Sequence, residues 1–230
     1  MYLTLIVVGV LLAAWAVSGT IFALLRKVSF HQAFLHMPIK ALHRIEDRAL
    51  GHARTDPPVI YAVLHQSRLD PALMLSLLPA DTLHILDEKS ARSAWLEPWR
   101  EMARTIVFNA KHVFVSRRLV RHLKGRGRLA VYFPDGILPD TRPYRLYRAV
   151  AKIAAAAGAR IVPVSVQGSR QTIFALGPTD DNNPRQLLAK LRVRALEPLT
   201  IAELVTRSAR EQATMAAALY DRVLEADAAR

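Results

Sequence analysis

The chain has 230 residues, 52% of them apolar, which suffices for one domain with a core, or one domain plus an appendage. It has no cysteine, which excludes disulfides, thiol nucleophiles and cysteine-ligated zinc or iron–sulfur sites. With 32 basic and 19 acidic residues the net charge is +13, so the chain seeks a polyanion, and its apolar content favours an anionic membrane surface over nucleic acid.

Leu3 to Leu25 is an uncharged apolar run of 23 residues, followed at once by Arg26 and Lys27. As a helix it would be about 34 Å long, enough to cross a hydrocarbon core. Its length and the lack of a charged leader exclude a cleaved secretory signal. The basic pair keeps the rest of the chain on the cytoplasmic side, so the expected place is the inner membrane, with the helix spanning it or lying in one leaflet. Val28 to Leu50 mixes apolar and basic residues around Pro38, and reads as two short amphipathic helices on the membrane surface. His31, His36 and His43 within it, spaced five and seven apart, match no metal signature and read as a polar interfacial face. Residues 51–58 (GHARTDPP) form a linker.

Val59 to Leu64 is an apolar, β-rich run that stops at His65; five residues later Asp70 precedes Pro71 and a helical apolar segment ending at Pro79. On a regular helix residues five apart point about 140° from one another. His65 and Asp70 can meet only if the backbone bends between them, as a strand-to-helix turn does. A histidine there can serve as general base, with a carboxylate fixing its tautomer and stabilising the imidazolium. The simpler reading is that Asp70-Pro71 is a helix N-cap with proline at the first helical position.

Leu83–Leu86 reads as a strand, and Ala91–Ala103 as an amphipathic helix carrying Trp95 and Trp99 on one face. Val113–Val115 reads as a short strand ending at Ser116-Arg117-Arg118, before a helix with Leu119, Val120 and Leu123 on one side. Arg117 at a helix N-terminus is electrostatically unfavourable, which points to a functional role. Residues 117–128 (RRLVRHLKGRGR) are the most basic stretch, without interleaved aromatics or a nucleic-acid motif, so a membrane or phosphate surface is the better partner. No Walker loop is present.

Leu129–Phe133 is a strand cut off by Pro134-Asp135-Gly136. Leu146–Ala157 is an alanine-rich helix closed by Gly158. Ile161–Val166 and Leu191–Leu196 are strands, Asp180–Pro184 is a turn, and Thr200 with Glu203 forms a capping box for a helical region reaching Ala226. Alternating strands and helices predict an α/β domain with a largely parallel sheet over residues 59–230, after a membrane helix (1–27) and an interfacial segment (28–58). His65 with Asp70, Arg117 with Arg118, and the Phe133–Gly136 turn are all read as strand ends, where ligand sites of open α/β sheets lie.

These residues, taken together, resemble the glycerolipid acyltransferase family, the lysophosphatidate acyltransferase type. Its four ordered blocks are matched by His65-Gln66-Ser67-Arg68-Leu69-Asp70 (H-x4-D), Phe114-Val115-Ser116-Arg117 (F-[IV]-x-R), Phe133-Pro134-Asp135-Gly136 (F-P-E-G) and Ile161-Val162-Pro163-Val164 (V/I-P-V), across residues 59–170. Arg145-Leu146-Tyr147 further resembles the acyltransferase half of 2-acylglycerophosphoethanolamine acyltransferases. Two departures stand out. Asp135 replaces glutamate, and Ile137-Leu138 stand where Thr-Arg is common, so Arg142 or Arg145 would have to take the acceptor phosphate in place of that arginine.

The resemblance implies a membrane-bound lysolipid O-acyltransferase that needs no metal or other cofactor and uses acyl-CoA or an acyl carrier protein thioester as co-substrate. His65 would be the base and Asp70 its partner. Arg117 would hold the acceptor phosphate, and Phe133, Pro134, Asp135 and Gly136 would shape the acceptor site. The implied partners are membrane lipids, the lysolipid acceptor and the donor, without nucleic acid. Another acceptor such as a lyso-ornithine lipid, and a catalytically silent lipid-binding protein on the same fold, stay open.

Overall fold

The computed structural model describes residues 2–26, 28–86, 105–107, 113–139, 141, 143–178, 184–208 and 213–228. The Trp95/Trp99 helix, the turn residues 180–183 and Arg142 lie outside them.

Helix α1 (Tyr2–Arg26) is the apolar run expected from the sequence. It is long and apolar enough to cross a membrane and buries almost none of its surface. Its second half leans on α2 (Phe30–Leu42): Gly19 sits against the Phe34 ring, and Trp15 Nε1 donates to the Phe34 carbonyl at 3.1 Å. Ser29 and Gln32 cap α2 reciprocally.

Two readings of residues 28–50 change here. α2 runs through Pro38 as one helix, and the second expected helix is instead an edge strand, β1 (Arg44–Ala49). Its pairing with β7 (Lys190–Ala195), through Glu46 to Lys190 Nζ (2.6 Å) and Arg192 Nε (3.0 Å), overrides local amphipathicity. The sheet therefore begins near residue 44 rather than 59. His36 and His43 are buried, not interfacial: His36 Nδ1 meets Ser76 Oγ and His43 Nδ1 meets the Ala189 carbonyl, each at 3.3 Å, whereas His31 is exposed.

The remaining strands are β2 (Val59–His65), β3 (Thr82–Leu86), β4 (Thr105–Val107), β5 (Arg128–Pro134), β6 (Arg160–Gln167) and β8 (Leu199–Thr200). The sheet order is β1-β7-β6-β2-β5-β3-β4, and β6, β2, β5, β3 and β4 run parallel. β7 and β8 both pair antiparallel with β6, β8 along its first half and β7 along its second. Pro163, which has no N–H to donate, falls at the break between them and accepts from Leu196 N through its carbonyl (2.9 Å). That is how a proline sits inside a central strand.

Side chains alternate along β2 and divide the core. Val59, Tyr61 and Val63 face α2 and α3 (Asp70–Leu77). Ile60, Ala62 and Leu64 face α4 (Val113–Lys124), α5 (Arg145–Ala157), α6 (Ile201–Arg207) and α7 (Met215–Ala228). Gly158 closes α5 in the left-handed conformation, as the sequence predicts. Val113–Val115 is the first turn of α4 rather than a strand; the strand is Thr105–Val107, and three apolar β-branched or aromatic residues do not distinguish the two states. Arg117 therefore lies within a helix, not at a strand end.

Candidate active site

β6, β2 and β5 are neighbours, and their carboxyl ends meet at one edge of the sheet. His65 is the last residue of β2 and is in register with Pro134 of β5. Beyond β6 come Gly168 and Ser169. Gly168 has φ +87°, and a Cβ there would stand 2.1 Å from the Lys190 carbonyl oxygen, so only glycine lets the chain turn from β6 towards His65.

The turn from β2 to α3 is built by Asp70. Its Oδ2 accepts from Gln66 N and Ser67 N, each at 2.7 Å, and its Oδ1 accepts from Ser169 Oγ. The carboxylate thus reaches back upstream and does not cap the first turn of its own helix. Asp70 is 1% exposed and His65 9%. His65 Nδ1 lies 3.6 Å from Asp70 Oδ2. With Nδ1 turned to the carboxylate, the other ring nitrogen serves the cleft that His65 lines.

The turn is pinned from outside. Leu176 N donates to the Gln66 carbonyl (2.9 Å), Arg68 N to the Phe174 carbonyl (3.0 Å), and Ser67 Oγ meets Thr172 Oγ1 (3.1 Å). Orientation of the pair is thereby fixed without a ligand.

The cleft holds about 760 Å³ and is lined by His65, Gln66, Pro134, Asp135, Gly136 and Arg170, among others. Arg170 Nε donates to Asp135 Oδ2 and its Nη2 to Asp227 Oδ2, both at 2.9 Å; Gln66 Nε2 donates to Asp227 Oδ1, also at 2.9 Å. Helix α7 thereby contributes a wall to the cleft.

Of the residues expected here from the sequence, His65, Asp70, Pro134, Asp135 and Gly136 come together. Phe133 does not: its ring is fully buried on the opposite face of the sheet, stacked on Tyr147 at 4.2 Å. Arg117 and Arg145 are exposed and line a separate groove between α4 and α5. Ser169, Arg170 and Asp227 were not anticipated, and no local pattern marks them.

Behind His65 lies Tyr132, ring edge to face at 6.0 Å, and behind that His84, whose Nδ1 meets the Tyr132 hydroxyl at 2.8 Å. Burial lowers the His84 pKa to about 3 and raises that of Tyr132 well above its usual value. His84 is neutral when folded but takes a proton near pH 6.5 when unfolded, so its stabilisation is complete above that pH and is lost as the pH falls towards 3. The expected slope over this window is up to about 1.4 kcal/mol per pH unit. Chemical denaturation in detergent at pH 5 and 7 checks it. The double variant His84→Phe/Tyr132→Phe, which removes both polar ends together, should lose this slope.

The largely parallel sheet thus brings a histidine and a buried aspartate together at its carboxyl edge, in a chain without cysteine. A family model described as Acyltransferase matches residues 44–167, more than half of the chain, and the protein belongs to that family of enzymes. The match takes in the sheet from β1 to β6, with both His65 and Asp70. Among solved structures, the fold is similar to that of the 1-acyl-sn-glycerophosphate (LPA) acyltransferase, PlsC, from Thermotoga maritima, at 14% sequence identity and a TM-score of 0.54, covering 95% of this chain and 97% of that one.

Proposed function

We propose that this acyltransferase moves a fatty acyl group from a thioester donor, acyl-CoA or acyl carrier protein, to the free hydroxyl of a lyso-glycerolipid at a membrane. The observation that carries the reading is the His65–Asp70 pair, 3.6 Å apart, with His65 lining a 760 Å³ cleft. Supporting it are the apolar helix α1 and the fold shared with an enzyme named for lysophosphatidate.

His65 takes the proton of the acceptor hydroxyl as its oxygen attacks the thioester carbonyl. Asp70 stabilises the imidazolium through that step. A C–O bond forms, the C–S bond breaks, and the imidazolium returns its proton to the departing thiolate. Arg170, which lines the cleft, takes the role expected of Arg117 and faces the acceptor headgroup. Asp135 and Gly136 border the same position.

One observation favours a particular acceptor. Among the described residues the charged groups lining the cleft, besides His65, are Arg170, Asp135 and Asp227, so the carboxylates outnumber the cation. Such a wall suits a headgroup carrying an ammonium, as in 2-acylglycerophosphoethanolamine or a lyso-ornithine lipid, better than lysophosphatidate. The test offers lysophosphatidate, lyso-phosphatidylethanolamine and lyso-ornithine lipid in mixed micelles with each donor. Transfer to the amine-bearing acceptors at higher kcat/KM is the expected result. Preference for lysophosphatidate would overturn the headgroup assignment. Absence of transfer from either donor to any acceptor would leave a lipid-binding protein on this fold.

A further inference from the structure

The groove between α4 and α5 lies on the face of the sheet opposite α2 and α3, and so opposite the helices that lead to α1. It holds about 700 Å³. Val120, Ala149 and Ile153 form an apolar floor, and Arg117, Arg145 and Lys152 stand along its rims. Arg118, Arg121 and Lys124 extend the basic surface along α4 and are exposed. Residues 113–134 and 141–178 contain no aspartate or glutamate. Among the described residues no carboxylate pairs with Arg117, Arg118, Arg121, Lys124, Arg145 or Lys152. Among the described residues two adjacent helices thus carry cations at helical spacing with no acid between them, an arrangement that favours an anionic partner.

The topology fixes where the groove opens. α4 joins β4 to β5 and α5 joins β5 to β6, and all three strands are parallel. Both helices therefore run back from the edge that carries His65: α5 begins there with Arg145, and Arg117 follows the first turn of α4. The end of β5, in register with His65 and lining the cleft through Pro134, lies at the same edge.

We propose that this groove is the docking surface for an acidic acyl carrier protein. An amphipathic helix of the carrier lays its apolar stripe on Val120, Ala149 and Ile153 with its carboxylates against the basic rims, and its flexible arm brings the thioester over the end of β5 to His65. An anionic membrane fits less well, because the groove is on the far side of the sheet from the helices that carry α1. The proposal rests on the acyl-transfer reading for its purpose and adds no chemical step to it.

The test uses the full chain in detergent micelles and the double charge reversal Arg121→Glu/Lys152→Glu. Two readouts are taken: KM for the carrier-protein and CoA thioesters of the same acyl chain, and direct binding of fluorescently labelled holo-acyl carrier protein to the His65→Ala protein with and without the reversal. Expected is a rise of about tenfold or more in KM for the carrier donor and in Kd for the labelled carrier, both weakened further by salt, with KM for acyl-CoA within about twofold. Equal rises for both donors would make the groove a site for the CoA nucleotide and overturn the proposal. Unchanged carrier binding with reduced flotation on phosphatidylglycerol-containing vesicles would make it a lipid surface and overturn it equally. Should the wild-type protein transfer from neither donor, the acyl-transfer reading fails, and the labelled-carrier binding alone decides the groove.

Discussion

Replacing His65 by alanine is expected to lower kcat/KM for acyl transfer by about 10³-fold, in the middle of the range general-base catalysis supplies. The ring lies at the end of β2 with Tyr132 edge to face beside it, and the Asp70 turn is held by the Gln66 and Ser67 backbone donors, which the substitution leaves in place. Unfolding and membrane association of the variant should match the wild type. The measurement is direct, because the chain has no cysteine and released CoA thiol can be followed with a thiol reagent without background from the protein. Retention of a tenth or more of the wild-type rate would show that another group removes the acceptor proton.

Removing the Asp70 carboxylate is expected to cost stability as well as activity. Asp70→Ala strips the acceptor from Gln66 N, Ser67 N and Ser169 Oγ at a buried position. At about 1–3 kcal/mol for each orphaned group, and without full additivity, the loss should reach about 3 kcal/mol. For a domain of this size that lowers Tm by roughly 6–12 °C. Asp70→Asn separates the two roles. Its amide oxygen still accepts from the backbone, and the Ser169 hydroxyl can rotate to accept from the amide nitrogen, so Tm should hold within a few degrees. The charge that stabilises the imidazolium is gone, and transfer should fall by at least tenfold. Ser169→Ala, which removes one donor to Oδ1, should sit between wild type and Asp70→Asn in rate. An Asp70→Asn protein with wild-type activity would reduce Asp70 to a builder of the turn.

The meeting of His65 and Asp70 was legible because it has one local cause: a strand that stops at a histidine, five residues before an Asp-Pro helix start. The strands β2, β5 and β6 were legible for the same reason, as apolar runs with abrupt polar ends. Ser169 and Asp227 were not. They reach Asp70 and Gln66 from 99 and 161 residues away, and nothing local in a serine after glycine or an aspartate in a helix tells which partner it will meet. Arg44–Ala49 escaped because an edge strand holds its place by ion pairs to its neighbour rather than by an apolar pattern. Arg117 was misplaced for a related reason. Reading Val113–Val115 as a strand put it at the sheet edge with His65, whereas in a helix it turns outward, to the groove it shares with Arg145.

The order in which the cleft is supplied along the chain has a consequence in the cell. α1 leaves the ribosome about 200 residues ahead of Asp227, the last cleft residue in chain order among the described ones. At about 5–20 residues per second, that gap lasts on the order of 10–40 s. The nascent chain can therefore engage the bilayer well before β5 and β6 flank His65 and before Asp227 bridges Arg170 and Gln66. On the function proposed above, delivery to the membrane would precede competence, and a newly made molecule would first open its cleft to a thioester where acceptor lipid surrounds it.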